Sequence, residues 1–231
     1  ENAVIYAVLL FIVSLIPVCL TKLPQPPIGP TVDTSFISLF KEVPSTFIAV
    51  FVLGFTNPAV LNLLPIFGVE IGLPTSQALL LLTAVHIGGL IMQWPIGYLS
   101  DIFGRRNILC GGFFIAATAA FCMTTTFAEA TLYAFLISFV WGGAALSLYS
   151  IALSHAIDRV DRDQTVGVCA TVLAVWSIGS IFGPGIAGLV MDQINVKALY
   201  VFCGAFHGIA ALSILVRLVL SNRRKKRQNQ L

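Results

Sequence analysis

Seven runs of apolar residues, each long enough to cross a lipid bilayer, leave this 231-residue chain few other ways to fold. They lie at about 2–20, 45–67, 76–99, 107–127, 130–154, 165–190 and 198–220. A helix rising about 1.5 Å per residue needs roughly 17–25 residues to cross the hydrocarbon. None of the runs alternates with the period of two that marks a membrane barrel strand. Backbone in lipid must satisfy its own hydrogen bonds, so helices are the reading. Composition agrees: 58% of the residues are hydrophobic and 10% charged, against about 25% charged in a soluble domain. At a mean hydropathy of +0.94, a soluble fold of this size could not cover itself with polar surface. The predicted fold class is therefore an all-α integral membrane protein with seven transmembrane helices.

Several function classes fall away at once. A net charge of +3 gives no reason to invoke nucleic acid. The cysteines Cys19, Cys110, Cys122, Cys169 and Cys203 stand singly in apolar runs, with no CxxC or Cys/His spacing. They read as small apolar side chains, with no metal site, no disulfide framework and no cofactor implied. A Ser/His, paired-Asp or metal-binding cluster for an intramembrane enzyme is also missing, so no catalytic residue is assigned.

Orientation follows from the basic residues. If 21–44 is cytoplasmic and every later run crosses, the inner set is Lys22, Lys41, Arg105, Arg106, Arg159, Arg162, Arg217, Arg223, Arg224, Lys225, Lys226 and Arg227. The outer set is Lys197 alone. That asymmetry puts Glu1 outside and the C-terminus in the cytoplasm. The Pro-rich stretch TKLPQPPIGPTVDTS reads as a linker. Glu1 opens directly onto apolar residues without a basic n-region, as though the chain were cut from something longer.

The inner loop GYLSDIFGRR, Gly97 to Arg106, concentrates charge in a chain that otherwise carries little. Gly97 is expected to let two helices approach closely. Asp101 ends a helix where the dipole disfavours its charge unless a cation compensates. Gly104 permits a sharp reversal, and Arg105 and Arg106 hold the turn at the membrane face. A second inner loop, HAIDRVDRDQ, carries Asp158, Arg159, Asp161, Arg162 and Asp163. It reads either as a solvated loop with Asp163 or Thr165 capping the next helix, or as a partner for the Asp101 and Arg105 cluster.

Gly97, Leu99, Ser100, Asp101, Gly104, Arg105 and Arg106 resemble the signature loop G-x-L-[AS]-D-[RK]-x-G-R-[RK] of the major facilitator superfamily (MFS). Ile102 departs from it, standing where the family has a basic residue. By that resemblance, the runs are helices six to twelve of a twelve-helix transporter. Residues 1–20 would end a missing N-terminal half, 21–44 would be a cytoplasmic Pro-rich linker, 45–222 would form the six-helix C-terminal half, an inverted 3+3 repeat, and 223–231 would be a basic cytoplasmic tail. Trp141, Gly142, Tyr149, Leu153, His155, Asp158 and Arg159 are similar to a helix of poorly characterised bacterial members. The implied function is secondary active transport of a small solute by alternating access, in a bacterial inner membrane. The implied partners are the lipid bilayer, the missing half and an unidentified substrate, with proton coupling open. The alternative is a non-transporting seven-helix receptor or scaffold.

In that frame Gly97, Leu99, Asp101, Gly104, Arg105, Arg106, Asp158, Arg159 and Arg162 form an inner-gate motif. The run GSIFGPGIAG places Gly179, Gly183, Pro184 and Gly188 at a small-residue packing face with a proline bend point. Ordinary helix packing and a hinge are both open readings. Polar side chains at depth are costly, and Asn57, Asn62, His86, Trp141 and Tyr149 are the substrate-cavity candidates. His207 reads as a packed histidine. Acidic residues are absent from the middle of every run, and Glu70, Glu129 and Asp192 belong to outer loops. The basic tail is a topological anchor, with anionic lipid as a second reading.

Overall fold

The computed structural model describes residues 2–21, 36–126 and 131–228. Residues 22–35 of the expected linker, Lys22 and Glu129 lie outside them, as do the side chains of Arg223 to Arg227. All regular structure among the described residues is helical: α1 Asn2–Leu20, α2 Phe36–Glu42, α3 Pro44–Glu70, α4 Thr75–Phe103, α5 Arg105–Met123, α6 Thr131–Ile157, α7 Thr165–Gln193 and α8 Ala198–Gln228. A 3-10 turn, Arg162–Gln164, leads into α7.

The chain divides into two units, Glu1–Thr31 and Val32–Leu231. In the first, α1 is an apolar helix with Pro17 inside it, and the Thr21 hydroxyl donates to the Pro17 carbonyl at 2.6 Å. In the second, α3 to α8 supply six helices long and apolar enough to cross a membrane. Among the described residues α1 contributes only the shorter apolar stretch Val8–Pro17 to that count. Six of the seven expected spans are among these helices, and α1 occupies the bounds of the remaining run, Asn2–Leu20.

Two features differ from the sequence expectation. The linker region contains α2, whose FISLFKE sequence buries Leu39 and the following Val43 against α3. Hydropathy over a span-length window is blind to so short an amphipathic helix. α8 also continues through the basic tail to Gln228, because Arg and Lys are good helix formers once the helix leaves lipid.

Lipid is as apolar as leucine, so these helices are held by close packing of small residues more than by escape from solvent. The most extensive packing joins α4 to α6 and α3 to α7, followed by α5 with α8 and α5 with α6. Glycines mark the two leading crossings. A Cβ on Gly88 of α4 would stand 2.0 Å from the Phe139 carbonyl oxygen of α6. One on Gly183 of α7 would stand 2.0 Å from the Phe55 carbonyl oxygen of α3. Gly97 does the reverse of what its sequence suggests: nothing lies within 4 Å of a Cβ there, on the stretch of α4 where the neighbouring Trp94 and Tyr98 are exposed. α3 and α6 are the most enclosed helices, and α4 and α7 the least. Of the cysteines, Cys110 and Cys203 are buried, but Cys122 and Cys169 are half-buried and Cys19 is exposed, so burial is not general.

Candidate functional site

The α4–α5 reversal is a single residue. Gly104 has φ +87°, a conformation that other residues adopt only with strain, and the first turn of α5 begins at once on Arg105. This brings Arg105 back beside the end of α4, where its Nη2 lies 3.5 Å from Asp101. The cation that Asp101 requires at a helix C-terminus is therefore Arg105. The same guanidinium forks onto Asp158 beyond the end of α6: Nε donates to Oδ2, and Nη2 reaches Oδ1 at 3.5 Å. One arginine thus joins three helix ends. The hollow around it holds 480 Å³.

The other charges of the expected cluster do not all join it. Arg106, one residue further round α5, also borders this hollow but makes no ion pair among the described residues, and its Nε is buried without a partner. Arg159 hydrogen-bonds the ring of buried His155, with Nη1 3.1 Å from Nδ1. Arg162, Asp161 and Asp163 are exposed and make no ion pair among the described residues. Neither Asp163 nor Thr165 caps α7: its N-cap position is Gln164, with no side-chain hydrogen bond. Leu99 is exposed, and beneath it Ser100 is buried and donates to the Gly97 carbonyl at 2.7 Å.

The cavity candidates do not share one face. Asn57 is buried and donates to the Ala145 carbonyl of α6 at 3.3 Å, tying α3 to α6. Trp141 is wholly enclosed, so it fills the bundle and presents no surface to an open cavity in this conformation. Asn62 and His86 are exposed, each bonded to its own helix, to Pro58 and Leu82 at 2.7 Å. Tyr149 is half-buried with its ring edge-on to Trp176. On α7, Gly179 and Gly183 sit against the α3 backbone, whereas nothing approaches Gly188, and the helix runs unbroken through Pro184.

One polar group has no signal in the sequence. Thr56 is buried, and its hydroxyl lies within hydrogen-bond distance of both the Val52 carbonyl at 2.8 Å and His207 Nε2 at 2.9 Å. This bond crosses from α3 to α8, and the His207 ring lies 6.0 Å from that of Trp141. His207 is packed, as its surroundings of apolar residues suggest. Thr56 and His207 are 151 positions apart, and only the packing of α3 on α8 joins them.

Six apolar helices of membrane length, crossing on glycines and with three of their ends joined by one arginine, define a polytopic membrane protein. The family profile described as "Major Facilitator Superfamily" matches residues 46–231. The chain belongs to the Major Facilitator Superfamily, a family of membrane transporters and not of enzymes. It is similar to the "Uncharacterized MFS-type transporter YcaD" of Escherichia fergusonii, 25% identical over 225 residues, covering 95% of this chain and 55% of the relative. The protein of that description in Salmonella paratyphi B is 26% identical over 159 residues, covering 69% and 39%. This chain thus spans about half the length of these relatives, or less. In fold it resembles the fucose:proton symporter FucP of E. coli, with TM-score 0.65 and 20% identity over 92% of this chain and 54% of that one. A structure described as FucP in the outward conformation matches at TM-score 0.66 and 20% identity, over 92% and 53%.

Proposed function

We propose that the whole protein is a secondary active transporter that moves a small solute by alternating access, and that this chain supplies its C-terminal half. The observation that carries the reading is Arg105, clasping Asp101 at the end of α4 and Asp158 beyond α6. In this reading the clasp is the inner gate, joining one three-helix repeat, α3 to α5, to the other, α6 to α8. The packing supports that division. Exchanging α3 with α6, α4 with α7 and α5 with α8 converts the pair α3/α7 into α6/α4, the two most extensive crossings. α1 would then end the N-terminal half, and residues 21–44 would form a cytoplasmic linker. The sparsely covered faces of α4 and α7 would meet the missing half. Asn57, Asn62, His86, Trp141 and Tyr149 remain the proposed substrate residues, and proton coupling, if the protein has it, would fall to a carboxylate of the missing half or to His86.

The membrane is taken as the bacterial inner membrane, with the C-terminus inside. Single cysteines at Gln77 and Asn195, in a variant stripped of native cysteines, should label from outside intact cells. Those at Asn107 and Gln228 should label only after permeabilisation. External labelling at Asn107 would overturn the orientation.

The function is tested with proteoliposomes holding a mixed pool of small metabolites, read by mass spectrometry. The full-length protein should release or take up at least one solute, and the 231-residue chain alone should move none. Adding the upstream half should restore movement, because each half is close to a self-contained bundle. Flux through the chain alone would overturn the half assignment. A full-length protein that moves nothing across repeated pools would favour a receptor or scaffold.

A further inference from the structure

A second hollow opens beside the Arg105 clasp, at the end of the bundle where α3 and α5 begin and α6 finishes, against the 217–221 stretch of α8. It holds 360 Å³ and is lined by Lys41, Ser45, Arg106, His155, Arg159 and Arg217, with Glu42 at its rim. That volume suits a small polar group. Its charge is uncompensated. Lys41, Arg106, Arg159 and Arg217 face one carboxylate, and among the described residues none of the four makes an ion pair. The nearby carboxylates Asp101 and Asp158 are turned to Arg105. Arg159 and Arg217 stand close enough to Arg106 for their like charges to repel, and the Arg106 Nε is buried without a partner. His155, accepting from Arg159, adds no negative charge.

Gathering four cations into one hollow is unfavourable unless an anion fills it. Guanidinium forks match tetrahedral oxyanions in geometry and charge. We propose that this hollow binds a phosphate group. Its position at the ends of the membrane spans, among residues at headgroup depth, makes an anionic phospholipid headgroup one source and free phosphate the other. The α2 helix has a role here, since it carries Lys41 to the rim. Binding is the readout, so the proposal stands or falls apart from any transport by this protein.

The test is thermal unfolding of the purified 231-residue chain in detergent, titrated with dioctanoyl phosphatidylglycerol, dioctanoyl phosphatidylcholine or inorganic phosphate. Phosphatidylglycerol should raise the midpoint by several degrees, saturably, and phosphatidylcholine should not. If inorganic phosphate gives the same shift at similar concentration, the free ion is the source; if only the lipid does, the headgroup is. Arg217→Gln combined with Lys41→Gln should weaken the response about tenfold or more, and Arg217→Lys should keep part of it. Changing Arg223 through Arg227 to Gln should leave the response intact. Equal response to phosphatidylcholine, an undiminished response in the Arg217→Gln/Lys41→Gln variant, or its loss on neutralising the tail alone would each overturn the proposal.

Discussion

Gly183→Ala should unfold the bundle at far lower temperature than wild type, whereas Gly188→Ala, five residues along the same helix, should not. The added methyl at 183 would stand 2.0 Å from the Phe55 carbonyl oxygen and 2.7 Å from its carbon. Those are backbone atoms of α3, so no rotamer change relieves the clash and the two helices must part along their crossing. Overpacking of this kind costs about 3 kcal/mol, against about 1 kcal/mol gained from replacing a helical glycine by alanine. At 188 nothing lies within 4 Å, and only the propensity gain remains. Gly88→Ala should behave like Gly183→Ala, because its methyl would meet the Phe139 carbonyl oxygen at 2.0 Å in the α4/α6 crossing. The measurement is the midpoint of thermal unfolding in detergent, followed by size-exclusion recovery. Equal midpoints for the 183 and 188 variants would show that α3 and α7 do not cross on this glycine.

Arg105→Gln should cut solute flux through the full-length transporter about tenfold while changing unfolding by less than about 1 kcal/mol. The contrast follows from exposure. The side chains of Asp101 and Asp158 are 66% and 52% exposed, and pairs that wet contribute little to net stability. In the proposed gate their worth would lie in biasing one conformation over another, where a difference of about 1.4 kcal/mol is already tenfold. Asp158→Asn should slow flux more than Asp101→Asn. Asp158 takes two donors of the guanidinium from beyond α6, whereas Asp101 takes one from just across the Gly104 turn. Flux is read in proteoliposomes and stability by thermal unfolding of the same preparations. Wild-type flux in Arg105→Gln would reduce the cluster to an anchor of topology.

What the sequence discloses is what the bilayer dictates. The run at 76–99 became Thr75–Phe103 and that at 165–190 became Thr165–Gln193, because no shorter or more polar stretch could cross. The Gly104 reversal was legible because a glycine just before two arginines at a membrane face has little else to do. The nearness of Asp158 to Arg105 was legible only as two charged loops on one face. Which arginine would pair was not: adjacent residues on a helix point about 100° apart, so Arg105 meets the carboxylates and Arg106 the hollow behind them. Likewise the burial of Trp141 within this bundle was not legible, because rotation about the α6 axis is fixed by no hydropathy pattern in a helix apolar all round. Thr56 was invisible because a threonine among phenylalanines and valines shows nothing until α8 brings His207 against it.

The most direct test of the account exchanges the charges of the clasp. Full-length protein carrying Arg105→Asp together with Asp158→Arg should recover a substantial part of the flux that either substitution alone removes, because an ion pair of reversed sense still joins α5 to the end of α6. Flux in the double variant no higher than in the worse single variant, with folding intact by thermal unfolding, would contradict an inner gate held by this pair.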